Sequence, residues 1–391
     1  MSELTAVPLI DGPVVLRGAL ELERTGSGLL PQRLPARARA QLADPHFQMV
    51  ARQPVGVRLA LRTAATVLEL DVLATKTVLL GDAAFPDGAY ELFVDGEHLA
   101  QARVSRGNRL HLDPFRGEAE VVPGETDTVR FSGLPAGEKD LELWLPQAEI
   151  TELIALRTDA PVLPPAPDER PVWLHHGSSI SHGADLLSPL ESWPSVAALT
   201  AGIQLVNLSM AGHCVIDQFT ARTIRDTPAD AISLKLGINV VGTDSMRLRA
   251  FGPAVHGFLD TVRDGHPDTP LLVVSPILCP EAEERPGPML PDPAAESFGF
   301  RALGNPAEIP AGRLTLRTVR AELRRIVAER AADDPHLHYL DGLALYGEKD
   351  AAELPLPDAL HPDAATHRRI GERFAAAAFG PGGPLRLRGD A

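Results

Sequence analysis

The chain is predicted to fold as an all-β sandwich or jelly roll followed by an α/β domain built on a parallel sheet. Three observations predict this. The first 160 of 391 residues hold many short runs of Val, Leu and aromatic residues separated by turn chemistry. Thr158 to Pro171 (TDAPVLPPAPDERP) carries five prolines in fourteen residues, a composition that denies backbone donors and favours extended chain. From Val172 onward, apolar strands alternate with helical patterns, as in βαβ units. The expected boundaries are 1–160 for the β domain, 161–171 for the linker and 172–385 for the α/β domain.

In the β half the expected strands are 14–20, 57–61, 66–72, 90–94, 109–112, 128–131 and 141–145. Several alternate, as Leu141-Glu-Leu-Trp-Leu145 does, with one apolar face. Asp95-Gly96 signals a tight hairpin, and Arg106-Gly107-Asn108 and Pro135-Ala-Gly137 read as two more. In the α/β half, strands are expected at 172–175, 203–208, 231–236, 271–274 and 338–340. Helices are expected to start at Trp193 and to cover 215–224, 246–262, 313–332 and 364–379. Residues 276–310 contain eight prolines and no period. A segment of that kind is either a wall or lid of a cleft or a mobile surface insertion.

Composition narrows the function. A hydrophobic fraction of 44% with 23% charged residues suits a core-forming globular protein. A formal charge of −15 disfavours nucleic acid and anionic membrane surfaces as partners, since phosphates need clustered Lys and Arg. Two cysteines, Cys214 and Cys279, are too few for a disulfide scaffold. The N-terminus lacks a basic and apolar leader, and no run reaches the length of a membrane span, so a cytoplasmic location is the expectation. Oligomeric state is not legible.

Chemistry concentrates in four short motifs: Gly177-Ser178-Ser179-Ile180, Asn207-Leu208-Ser209-Met210-Ala211-Gly212, Gly237-Ile238-Asn239 and Asp358-Ala359-Leu360-His361-Pro362. The first three fall just past the C-terminal ends of expected strands, where a parallel sheet presents ligand groups. A serine hydroxyl becomes a nucleophile when a base takes its proton, and His361 is the candidate base for Ser179. Asp358, three residues earlier, is placed to fix the imidazole tautomer. The N–H of Ser179, the N–H of Gly212 and the side-chain amide of Asn239 are candidate oxyanion donors.

This ordered set resembles the SGNH (GDSL-type) hydrolase superfamily, whose four blocks supply Ser, Gly, Asn and His in that order. Ser179 matches the nucleophile, Gly212 and Asn239 the second and third blocks, and Asp358 with His361 the Asp-x-x-His-Pro of the last. Ser178 stands where the commoner pattern has Asp or Asn, and Val240 where many members have Asp. The resemblance covers roughly residues 171–380 and implies a flavodoxin-like α/β/α domain and a serine esterase needing no cofactor. The layout, a β domain before this one, is similar to two-domain carbohydrate esterases and implies a short acyl group, acetyl above all, on a carbohydrate or polyol. The expected partner is therefore a small-molecule or oligosaccharide ester. A lipase, thioesterase or acyltransferase using the same residues is the alternative within the class, and a catalytically dead sugar-binding protein is the alternative outside it.

Ser178, His182 and His213 are further candidates for substrate contact. The histidines 175, 176, 182 and 213 invite a metal reading, but no Cys or acidic partner has ligand spacing, so no metal is expected. Cys214 is expected to be a small buried residue rather than a second nucleophile. Position 181 is Ser, so the Gly-x-Ser-x-Gly elbow of α/β-hydrolases is absent.

Overall fold

A computed structural model describes residues 4–79, 87–113, 118–292 and 298–386. The chain divides into two compact units, Met1–Glu169 with Leu186–Leu190, and Arg170–Asp185 with Glu191–Ala391. No helix among the described residues is long and apolar enough to cross a membrane.

The first unit is a β-sandwich. One sheet runs in the order Glu118–Val122, Asn108–Asp113, Val67–Leu79, Ile150–Thr158, Leu29–Gln32 and Glu21–Arg24, with Thr5–Val7 beside Ile150–Thr158 and Asp127–Ser132 beside Val67–Leu79. The other runs Val162–Leu163, Arg58–Thr63, Lys139–Trp144, Ala89–Val94 and Glu97–Arg103, with Val15–Arg17 beside Arg58–Thr63. Alternate residues from both sheets meet in one core: Leu68, Leu70 and Val72 from the first, and Leu59, Leu61, Leu141 and Leu143 from the second. This is the period-2 burial that the Leu141-Glu-Leu-Trp-Leu145 pattern implies.

Asp95 and Gly96 close an antiparallel pair with φ values of 49° and 85°, the left-handed pair of a two-residue hairpin. The other two turns are corrected. Gly107 and Pro135–Gly137 each connect strands that lie in different sheets, so they are sheet-to-sheet crossings and not hairpins. A glycine is required at 107, where φ is 140° and an added Cβ would sit 2.3 Å from the Ala74 carbonyl oxygen. Within the proline-rich stretch expected as a linker, a short strand forms. Val162–Leu163 pairs with Arg58–Thr63 as an edge strand, a position in a sheet where neighbouring prolines are tolerated.

The second unit is a five-stranded parallel sheet flanked by helices. Its strands are β1 (Val172–His176), β2 (Gln204–Asn207), β3 (Ala231–Lys235), β4 (Leu271–Val274) and β5 (Leu337–Leu340), in the order β2-β1-β3-β4-β5. Residues of β3 and β4 are buried throughout, as strands covered on both faces must be. The main helices are α1 (Trp193–Ala201), α2 (Gln218–Arg225), α3 (Leu248–Gly265), α4 (Leu316–Arg330) and α5 (Ala364–Phe374). On α4 the buried set Leu316, Val319, Leu323, Ile326 and Val327 follows helical spacing and turns one face to the sheet. Strand order reverses between β1 and β3, and at such a switch point the carboxyl ends of the strands open a crevice for ligands.

The described part of the 276–310 segment is more ordered than a bare loop. It contains a helical turn at Pro280–Glu283, an antiparallel pair of Met289–Pro291 with Phe300–Ala302, and a 3-10 turn at Pro306–Ala311. Residues 293–297 of the expected loop lie outside the described residues.

Candidate active site

The end of β1 fixes the first motif. Strand residues Trp173 to His176 are buried, and the chain then turns at Gly177 into a single helical turn, Ser179–His182. Glycine is needed at 177 because an added Cβ would approach Ser181 Oγ to 2.4 Å. Ser179 is the first residue of that turn, so its N–H has no acceptor within the helix and points outward. Gly183, at φ 75°, ends the turn.

The second motif is tied to the first by backbone bonds: Leu208 N donates to His175 O at 2.7 Å and Met210 N to Gly177 O at 2.9 Å. Asn207, which is fully buried, accepts from Ser209 N (2.9 Å) and donates to Ser181 O (3.0 Å), locking the two turns together. Gly212 then adopts a left-handed φ of 74° beside this pair. The third motif leaves β3 through Gly237, whose φ is 117° and where a Cβ would meet Val319 Cγ1 at 2.4 Å. That turn delivers Asn239. Its Oδ1 accepts from Cys214 N at 3.1 Å, which orients the amide and leaves Nδ2 as the end available to a ligand. Val240 in place of an acidic residue therefore leaves the amide supported, from the second motif.

The fourth motif precedes α5. Asp358 Oδ1 accepts from Leu360 N (2.9 Å) and His361 N (2.6 Å), an Asx turn that holds Ala359 at a φ of 65°. A left-handed non-glycine residue costs roughly 1–2 kcal/mol, and the two Asx bonds offset that strain. Cys279 Sγ bonds the Ala359 carbonyl (3.3 Å), and Asp363 caps α5 through Thr366 N (2.8 Å). Trp193 N donates to His367 Nδ1 at 3.1 Å, joining α1 to α5.

These elements converge. Ser179 Oγ lies 2.8 Å from His361 Nε2, and His361 Nδ1 lies 2.6 Å from Asp358 Oδ2. Burial pushes the His361 pKa down, but the Asp358 hydrogen bond and the charges of Asp185 and Asp358 outweigh it and leave the imidazole above its ordinary value. Burial raises Asp358, yet the His361 contacts and the backbone donors bring it below the usual carboxylate value. The arrangement can take a proton from a hydroxyl and hold the resulting imidazolium.

Other residues named from the sequence fall elsewhere. Ser178 and His182 are 0% exposed, so neither has surface for a substrate, which corrects their assignment as contacts. His213, next to Gly212, is half-buried. His175 Nδ1 pairs with Ser233 Oγ (2.7 Å), while His176 bonds Leu208 O (2.8 Å) and Cys214 Sγ (3.4 Å). These imidazoles brace the sheet beneath the site. Burial lifts both cysteine thiols to about 12, so neither offers a thiolate near neutral pH.

Two neighbours of His361 escaped sequence reasoning. Phe300 sits edge-on to the imidazole (5.6 Å between centroids) with its N–H on the Asp358 carbonyl (2.8 Å), and the 65%-exposed Phe298 packs against it at 5.3 Å. Asp185 places Oδ2 3.4 Å from His361 Nδ1.

The model of the GDSL-like lipase/acylhydrolase family matches residues 176–369, spanning all four motifs. The chain carries a GDSL-like lipase/acylhydrolase domain. That domain is the serine ester hydrolase part of the chain. Among solved structures, the salicylyl-acyltransferase SsfX3 from a tetracycline biosynthetic pathway is similar at 26% identity, with 95% of each chain covered and a TM-score of 0.77. A family two carbohydrate esterase from Clostridium thermocellum, solved with cellohexaose, shares the fold at 16% identity, covering 83% of this chain and 92% of that one with a TM-score of 0.56. An acetyl xylan esterase from the rumen bacterium Butyrivibrio proteoclasticus shares it at 12% identity, 97% and 98% coverage and a TM-score of 0.51. No curated protein sequence matches the chain.

Proposed function

We propose that this GDSL-domain protein is a serine esterase that forms an acyl-enzyme on Ser179 and hydrolyses a short acyl ester, acetyl above all, on a carbohydrate or other polyol. The observation that carries the chemistry is the unbroken hydrogen-bonded run from Ser179 Oγ through His361 to Asp358. As Ser179 Oγ bonds the carbonyl carbon, its proton passes to His361 Nε2, while Nδ1–H stays on Asp358. The carbonyl oxygen becomes an anion, met by the N–H groups of Ser179 and Gly212 and by Asn239 Nδ2. The C–O bond to the alcohol then breaks, and the alkoxide leaves with the proton from His361. Water repeats the sequence in reverse, giving the free acid and restoring Ser179.

Loss of one oxyanion donor typically lowers the rate about 10²–10³-fold. Asn239→Ala is therefore expected to reduce kcat by that factor on p-nitrophenyl acetate with a small change in KM. A mainly raised KM would assign Asn239 to ground-state binding instead.

Two observations support a polyol as the alcohol. The leaving group sits beside His361, where Phe298 and Phe300 present aromatic surface on which the apolar face of a sugar ring can stack. The carbohydrate esterases named above also share the fold over 83% and 97% of this chain, a likeness that reaches beyond the GDSL domain into the β unit. A second reading, transfer of the acyl group to an alcohol acceptor instead of water, is supported by the 26% identity to a salicylyl-acyltransferase across both units. Nitrophenyl esters of graded chain length, acetylated sugars and an added alcohol acceptor separate the two. Rates falling with chain length and release of acetate from the sugars are expected. Rates rising with chain length contradict the acetyl reading, and a new ester formed in preference to free acid favours the transferase.

A further inference from the structure

The ring nitrogen that faces Asp358 also faces Asp185. Both carboxylates approach His361 Nδ1, Asp358 Oδ2 at 2.6 Å and Asp185 Oδ2 at 3.4 Å. Nδ1 carries one proton, and the shorter contact takes it. Asp185 is therefore outside the hydrogen bond and acts on the ring through charge. It follows the left-handed Gly183 that ends the Ser179 turn, and the next residue, Leu186, is buried, so the carboxylate is carried on a constrained backbone. Nucleophile and second carboxylate are thus only six positions apart in the chain, while their common partner lies far downstream.

We propose that Asp185 is a positioning carboxylate that stabilises the imidazolium form of His361 during acyl transfer, complementing the hydrogen bond from Asp358. The proposal rests on the serine esterase reading above. Its physical basis is that attack by Ser179 converts a neutral ring into a cation, and an anion 3.4 Å away favours the cation more than the neutral ring. The titratable groups facing this pair among the described residues are Asp358, on the loop of His361, and His367 on α5. Burial drives His367 down to about 3, so it stays neutral and accepts from Trp193 N. Burial, and to a smaller degree the neighbouring Asp358, raise the Asp185 pKa against the pull of His361, so on acidification its charge is lost before that of an ordinary carboxylate.

The sign follows directly. The base must be neutral in the free enzyme, so the rate rises with pH through the His361 pKa, which both carboxylates raise. Asp185→Asn is expected to move the midpoint of the acid limb to lower pH by about half a unit, a shift suited to a partly exposed ion pair. The limiting rate at high pH is expected to fall several-fold, and Asp185→Glu to restore part of both. The readout is the pH dependence of fluorophosphonate labelling at Ser179, beside an NMR titration of His361 in the same variants. An unmoved midpoint in both measurements overturns the proposal, whatever happens to the rate, because a structural role alters rate without altering the titration. Absence of any label on wild-type Ser179 instead strikes the esterase reading, and the NMR titration still decides the role of Asp185.

Discussion

Ser179→Ala is expected to lower kcat/KM on p-nitrophenyl acetate by about 10⁵-fold or more, leaving residual turnover from the oxyanion donors and binding alone. The magnitude follows from geometry. Ser179 Oγ is the hydroxyl in contact with His361 Nε2 (2.8 Å), whereas the neighbouring Ser178 is fully buried and its Oγ has no hydrogen-bond partner among the described residues. Ser178 therefore cannot replace its neighbour without rebuilding the turn. The substitution removes one oxygen from a half-buried position, so stability is expected to change little, and a thermal melt beside the kinetics separates lost chemistry from lost fold. Retention of more than a few per cent of activity would move the nucleophile elsewhere.

Trp173→Ala is expected to produce the largest loss of stability, about 3–5 kcal/mol, read as a lowered urea midpoint for the second unit. Trp173 lies on β1 with 0% exposure, stacked on Phe374 of α5 at 5.1 Å and packed edge-on to Phe379 at 5.2 Å. Its indole N–H donates to Ser233 Oγ on β3 at 2.9 Å. Truncation opens a cavity between the sheet and α5 and removes one of the two partners of the buried Ser233 hydroxyl, leaving His175 Nδ1. Because β1 carries the Ser179 turn and α5 follows the His361 loop, activity is expected to fail at lower temperature in this variant. With total stabilities of about 5–15 kcal/mol, a loss of that size leaves little reserve. An unchanged midpoint would show that this aromatic cluster does not hold the unit together.

The architecture of the second unit was legible because its strands are short, uniformly apolar runs such as Leu271–Val274, each followed by a helical period. Three site motifs were legible for a related reason. A parallel sheet places the residues after each strand on one rim, so Gly177-Ser178-Ser179, Gly212 and Gly237-Ile238-Asn239 could be grouped without coordinates. What stayed hidden depended on where chain returns in space. Glu97–Arg103 and Ile150–Thr158 are strands whose polar faces mask their alternation, and Arg106–Asn108 has hairpin chemistry while crossing between sheets. Asp185 and Phe300 carry no motif. Each meets His361 only in three dimensions, across 176 and 61 residues of chain respectively. Burial of Ser178 and His182 was equally invisible, since Ser and His in a polar-looking turn give no sign of being enclosed.

The central claim is that Ser179 is the group acylated during turnover. The most direct measurement is mass spectrometry of the peptide modified by a fluorophosphonate probe, or trapped during hydrolysis of a slow ester, with Ser179→Ala as the control. The account expects a single adduct on Ser179 in the wild type and none in the variant. An adduct on Ser178, on Cys214, or on any residue of the Ser179→Ala protein would contradict it.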